Sequence, residues 1–249
     1  MTQVVVLLEQ DKQDKQDALE WAAAEAAARS AELRVVYAFR WPYLLDALGE
    51  LTVEERDLET GEAVVDNAIE HVRKIFPSLR ISSTVFPGRP VDALLSEAED
   101  GALVVISHGH RFERKLSRRL ARRTKASLAV VGLTTDRTVG PSSGRVVVAV
   151  DGLDRSEALG FAFGAARRRG TGLTVLQTTA HEAETDCVSA WRNAYPEVDV
   201  RCGTADGTSA VLAESTAAAL TVLTADRHWR QQTPSTEVAR LARGPVVLV

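Results

Sequence analysis

Five short landmarks occur twice along this 249-residue chain, in the same order, and that duplication limits the fold more than any other feature. An apolar run closed by a carboxylate opens each half: Gln3-Val-Val-Val-Leu-Leu-Glu9, then Arg145-Val-Val-Val-Ala-Val-Asp151. Ala18-Leu19 returns as Ala158-Leu159, each beginning an alanine-rich stretch. The run from Glu32 to Tyr37 returns as Gly172 to Gln177, and Ala102 to Ser107 returns as Ala219 to Thr224. Ser127-Leu-Ala-Val-Val131 matches Gly244-Pro-Val-Val-Leu-Val249. Between the halves, residues 134–144 are polar, rich in Gly, Pro and Ser, and lack an apolar period, which is the composition of a linker. Domains of about 120 residues are of ordinary size. The expected division is therefore 1–133, a linker at 134–144, and a shortened second domain at 145–249.

The runs of four or five apolar residues, dense in Val and Leu, suit strands covered on both faces. Longer segments with helical spacing separate them. Alternating strands and helices imply parallel sheets joined by crossovers. The predicted fold class is α/β, with two tandem open parallel sheet domains of five strands each. Trp21 with Leu19, Ala24 and Ala28 is expected to form a narrow apolar stripe on the first helix. In the second half Asp154 reads as an N-cap with Glu157 three residues later, and Phe161, Ala162 and Ala165 continue a buried face. Residues 53–76 predict a long helix, whereas 178–196 leave room only for a short one.

Composition sets the outer limits. A formal charge of −4 gives no global attraction to nucleic acid or to anionic membrane. No stretch approaches the roughly 20 apolar residues of a membrane-spanning helix, and the opening residues lack a signal-peptide pattern. Cys187 and Cys202 are too few for a disulfide framework or a four-cysteine zinc site. Reduced, isolated thiols and a cytoplasmic location are expected.

In an open parallel sheet, ligands bind beyond the carboxyl ends of strands, where the strand order reverses. If the first and fourth strands of each half flank that point, Glu9-Gln10 and Ser107-His108 occupy it in the first half. Asp151-Gly152 and Thr224-Ala225 occupy it in the second.

Those residues carry a resemblance. The stretch from Val147 through Asp151-Gly152 to Leu159 resembles the opening of a universal stress protein domain, a valine strand, an Asp-Gly turn and a helix. Val85-Phe-Pro-Gly-Arg-Pro-Val-Asp-Ala-Leu94 resembles that family's third strand and the Gly-x-Pro entry to the next helix. Gly244-Pro-Val-Val-Leu-Val249 resembles its last strand. The resemblance covers nearly the whole chain, twice, and implies the adenine nucleotide alpha hydrolase-like fold.

One branch of the family binds ATP through a loop of the form Gly-x2-Gly-x9-Gly-Ser/Thr after the fourth strand. Glycines there let backbone N–H groups approach phosphates, and the loop leads into a helix N-terminus. Here residues 107–117 hold one glycine, Gly109, and residues 224–233 hold none. Side chains bearing a Cβ do not readily take the positive φ angles such loops require. Neither half is expected to bind ATP in the family manner. Asp151 and Gly152 keep the family's first-strand pattern, whereas Glu9 and Gln10 depart from it. Any surviving nucleotide site is therefore expected in the second half.

The degenerate loops carry His108, His110 and Arg111 in the first half and Arg227 and His228 in the second. With Glu9, Asp151 and Gly152 these are the candidate ligand-binding residues. Their side chains either line a pocket for another ligand or fill the old nucleotide cavity. His108 and His110 have a metal-site spacing, but no carboxylate nearer than Glu113 and no Cys completes a set, so no metal is expected. Residues 111–125 hold eight basic side chains and one acid, with Leu116 and Leu120 facing inward and Arg118, Arg119, Arg122 and Arg123 outward. That face either docks an anionic partner or is neutralised by the seven acids of residues 46–62. Nucleic acid is not expected there, because only Phe112 is available for stacking on bases. Residues 41–45 are more apolar than a solvated loop. No Ser, His and Asp arrangement suggests a nucleophile.

The expected function is a non-catalytic tandem universal stress protein, a binding or regulatory module for a small molecule or protein partner, without cofactor. Two alternatives stand beside it: an ATP- or AMP-binding protein with weak ATPase activity centred on Asp151, and a scaffold using segment 111–125. Family domains commonly pair through their last strands, and the linker can reach roughly 35 Å. An intramolecular pseudo-dimer is expected, its two last strands meeting, with homodimerisation of whole chains left open.

Overall fold

The computed structural model describes residues 3–8, 14–39, 55–107, 116, 119, 126–132, 144–150, 156–178, 186–224, 234–242 and 244–249. The first repeat contributes strands β1 (Gln3–Leu8), β2 (Glu32–Phe39), β3 (Ile81–Pro87), β4 (Leu103–Ser107) and β5 (Ser127–Val131). Helices α1 (Asp14–Ala28), α2 (Glu55–Ile75) and α3 (Pro90–Glu97) alternate with them. The second contributes β6 (Val146–Val150), β7 (Leu173–Gln177), β8 (Val200–Thr204), β9 (Leu220–Leu223) and β10 (Val246–Leu248). Its helices are α4 (Ser156–Arg169), α5 (Asp186–Ala194), α6 (Gly207–Ser215) and α7 (Pro234–Leu241). Five strands per repeat match the sequence reading.

The chain divides into two compact units, one holding β1–β4 with α1–α3, the other β5–β10 with α4–α7. In the first, β1 pairs in parallel with both β2 and β4, and β2 pairs with β3. In the second, β6 pairs in parallel with β7 and β9, β7 with β8, and β9 with β10. The final strand of the first repeat, β5, joins this second unit by pairing antiparallel with β10. The expected meeting of the two last strands is therefore present as a β5–β10 ladder.

Burial explains why these runs are strands. Successive side chains alternate faces, so a strand buried at every residue is covered on both sides. β4, β5 and β6 are buried throughout. Helix α1 packs on β1, β2 and β4, and α4 on β6, β7 and β9. The apolar stripe of α1 differs from the expected one: Ala18, Leu19, Ala22, Ala23 and Ala26 are buried, while Ala24 and Ala28 are exposed. Alanine on every side of that helix hides its period, and the buried face also holds Glu25, bonded to Arg29 at 2.6 Å. In α4, Ala162 and Ala165 are buried as expected, but Phe163 rather than Phe161 is the buried aromatic. Phe163 stacks on Trp191 with centroids 5.8 Å apart and lies 5.5 Å from Tyr195, which fixes α5 to α4. Gly160 permits this approach, since a Cβ there would lie 2.9 Å from the Trp191 ring.

The long and short helices fall where expected, with 21 residues in α2 and nine in α5. The shorter helix leaves β8 largely uncovered, exposed from Arg201 to Thr204, whereas most of β3 is half-buried.

Candidate functional site at the carboxyl ends of the strands

In both units the third strand lies beyond the second, and the fourth lies on the opposite side of the first. The order reverses between β1 and β4, and again between β6 and β9. These are the two places where an open parallel sheet leaves a crevice. Each opening strand is apolar on both faces, which suits an interior strand covered by helices on both sides.

In the first unit the crevice is bounded by the ends of β1 and β4. Leu8 and Ser107 are the last described residues there, and both are buried. In the second unit, Val150 ends β6 and is buried, and Thr224 follows β9. The backbone N–H of Thr178 donates to the Val150 carbonyl at 3.2 Å, and its hydroxyl donates to the same oxygen at 3.3 Å. These two hydrogen bonds to one carbonyl pin the chain leaving β7 against Val150, the residue immediately before Asp151. Thr224 Oγ1 is shielded from solvent and has no hydrogen-bond partner among the described residues. A buried hydroxyl without a partner costs about 1–3 kcal/mol, so its position at the crevice is informative.

A second shared device ties the end of the third strand to that of the second in each repeat. The residue after the third strand donates its N–H to the last carbonyl of the second strand: Gly88 to Phe39 at 3.0 Å, and Ala205 to Gln177 at 2.9 Å. A helix starts directly afterwards in both. Pro90 sits in the first turn of α3 after Arg89, and α6 follows Asp206, neither residue making a side-chain cap bond. The Gly-x-Pro pattern thus reads correctly as a strand-to-helix entry.

Glu9, His108, His110, Arg111, Asp151, Gly152, Arg227 and His228 all lie outside the described residues. Residues 41–45 do so as well. What the structure places is their flanks: Leu8, Ser107, Val150 and Thr224 bring the four chain exits to the two reversal points. Of the basic segment, Leu116 is fully buried as expected, and Arg119 is half-buried and engaged with a partner. Sequence reading missed Thr178, whose signal is weak, a polar residue just after an apolar strand. Among the described residues no group of three or more His, Cys, Asp or Glu could hold a metal ion. No helix among them is long and apolar enough to cross a membrane.

The family model described as the universal stress protein family matches residues 1–132. Among solved structures, the chain is similar to a universal stress protein from Archaeoglobus fulgidus DSM 4304, with 18% identity and a TM-score of 0.66. That likeness covers 98% of this chain and 95% of the other. A functionally unknown protein from Pseudomonas aeruginosa PAO1 is similar at 14% identity, covering 99% of this chain and 92% of that one, with a TM-score of 0.63. At such identities the likeness concerns the fold, and it runs through both repeats. No curated protein sequence matches.

Proposed function

Because this chain belongs to the universal stress protein family, we propose that it is a non-catalytic tandem member whose two phosphate loops have lost their function. It acts as a binding or regulatory module, in the cytoplasm, in the stress response that the family name denotes. The observation that carries this reading is the composition of the chain leaving β4 and β9 at the reversal points. Residues 108–115 hold Gly109 alone, and residues 225–233 hold no glycine. Backbone N–H groups cannot crowd around a triphosphate where bulky His, Arg and Trp side chains replace glycine. Turnover of ATP by the full chain is the test: the rate should equal background, and a rate abolished by Asp151→Ala would refute the reading.

A second reading has one observation in its favour. Asp151 and Gly152 follow β6 directly, and the unpartnered hydroxyl of Thr224 stands at the end of the adjacent strand β9. A ligand hydroxyl or ring nitrogen reaching Thr224 would satisfy it. Weak nucleotide binding confined to the second unit would follow, with loss of binding on Thr224→Val.

A further inference from the structure

Among the described residues β8 pairs with β7 alone, so one side of β8 is an open edge. Two hydrogen bonds fix which backbone groups face it. The Leu173 N–H donates to the Asp199 carbonyl at 2.8 Å, and the Ala205 N–H to the Gln177 carbonyl at 2.9 Å. In a parallel ladder the groups bonding one neighbour come from alternate residues. Asp199, Arg201, Gly203 and Ala205 therefore face β7, and the N–H and C=O of Val200, Cys202 and Thr204 face outward. Short α5 does not cover this strand, whose side chains are exposed from Arg201 to Thr204. Such an edge is a template for another strand.

One side chain lies across it. Arg192, exposed near the end of α5, donates from Nη2 to the Val200 carbonyl at 3.3 Å and to Cys202 Sγ at 3.4 Å. We infer that Arg192 closes the open edge of β8 against a second copy of this chain. A second copy is the partner the bare edge fits. Its outward residues carry no charge, and run antiparallel about Cys202 they set Val200 against Thr204 at both ends. The unit's other terminal pairing, β10 with β5, is already antiparallel. With Arg192 in place, the Val200 carbonyl is taken at both ends of such a pair, and two guanidinium groups are brought onto one ladder. Both effects oppose pairing.

Sedimentation equilibrium of the full chain tests this. Arg192→Ala should associate in a concentration-dependent way beyond the wild-type mass. Adding Cys202→Lys should return the wild-type mass, because the two-fold pairing sets lysine directly opposite lysine. Both positions are exposed, and circular dichroism should show an unchanged fold. An Arg192→Ala protein with the wild-type mass at every concentration overturns the inference, as does association that persists in the double variant.

Discussion

Val247 of β10 lies directly opposite Ala129 of β5 in the antiparallel ladder, and both side chains are fully buried. The two final strands of the repeats thus cover each other's apolar edges. Val247→Asp would place a carboxylate with no partner in that contact. Urea unfolding should show a loss of at least about 3 kcal/mol, with lower solubility from the exposed edge of β5. A change below about 0.5 kcal/mol, typical of surface sites, would contradict the burial.

At the opposite end of the second sheet, Arg145 ties three strand starts together. Its Nη1 donates to Asp199 Oδ2 at 2.7 Å, Nη2 to the carbonyls of Asp199 and Leu173 at 2.7 and 2.9 Å, and Nε to Thr174 Oγ1 at 3.2 Å. A Cβ on Gly172 would clash with this guanidinium. Gly172→Ala should therefore displace a flexible side chain rather than backbone, and the cost is its hydrogen bonds, about 1–2 kcal/mol. In an Arg145→Ala background the same change should cost little. Equal costs in both backgrounds would show that the two residues are not coupled.

The hydrogen bond from Arg145, aided by its charge, holds the Asp199 carboxyl below the usual carboxylate range. A folded-state pKa below the unfolded one gives stability that is fully present above about pH 4 and lost as pH falls through the folded value. Asp199 is well exposed, so the effect is small. The stability difference between wild type and Asp199→Asn should stay constant between about pH 5 and 8 and shrink below about pH 4. A difference that grows on acidification has the wrong sign for this pairing.

The sequence made the architecture legible because apolar runs and their order survive divergence between the repeats. Strand positions follow from runs such as Val4 to Leu8 and Val146 to Val150, and the long α2 and short α5 from the lengths of residues 53–76 and 178–196. The reversal points are assumed for such a sheet and then observed. Helix faces were harder to read. In α1, alanines on all sides carry no period, and Glu25 is buried beside Arg29. The expected stripe therefore included Ala24 and Ala28, which are exposed, and Trp21, which is only half-buried. The site was legible only as a location. His108 and His228 follow β4 and β9 in sequence but lie outside the described residues, so only the strand ends that precede them are placed at the reversal points.

Thr224→Val offers a local probe of the second crevice. Replacing an unpartnered buried hydroxyl by a methyl of similar shape should be neutral or slightly stabilising. A thermal midpoint equal to or above that of wild type is expected. A loss of more than about 1 kcal/mol would mean that the hydroxyl has a partner.

The central claim is that the residues at both crevices no longer cradle a triphosphate. Isothermal titration calorimetry of the full chain with ATP and Mg²⁺ measures this directly. The account predicts a Kd no tighter than roughly millimolar, equivalent to about 4 kcal/mol of binding free energy. A micromolar Kd with one or two sites per chain would contradict it.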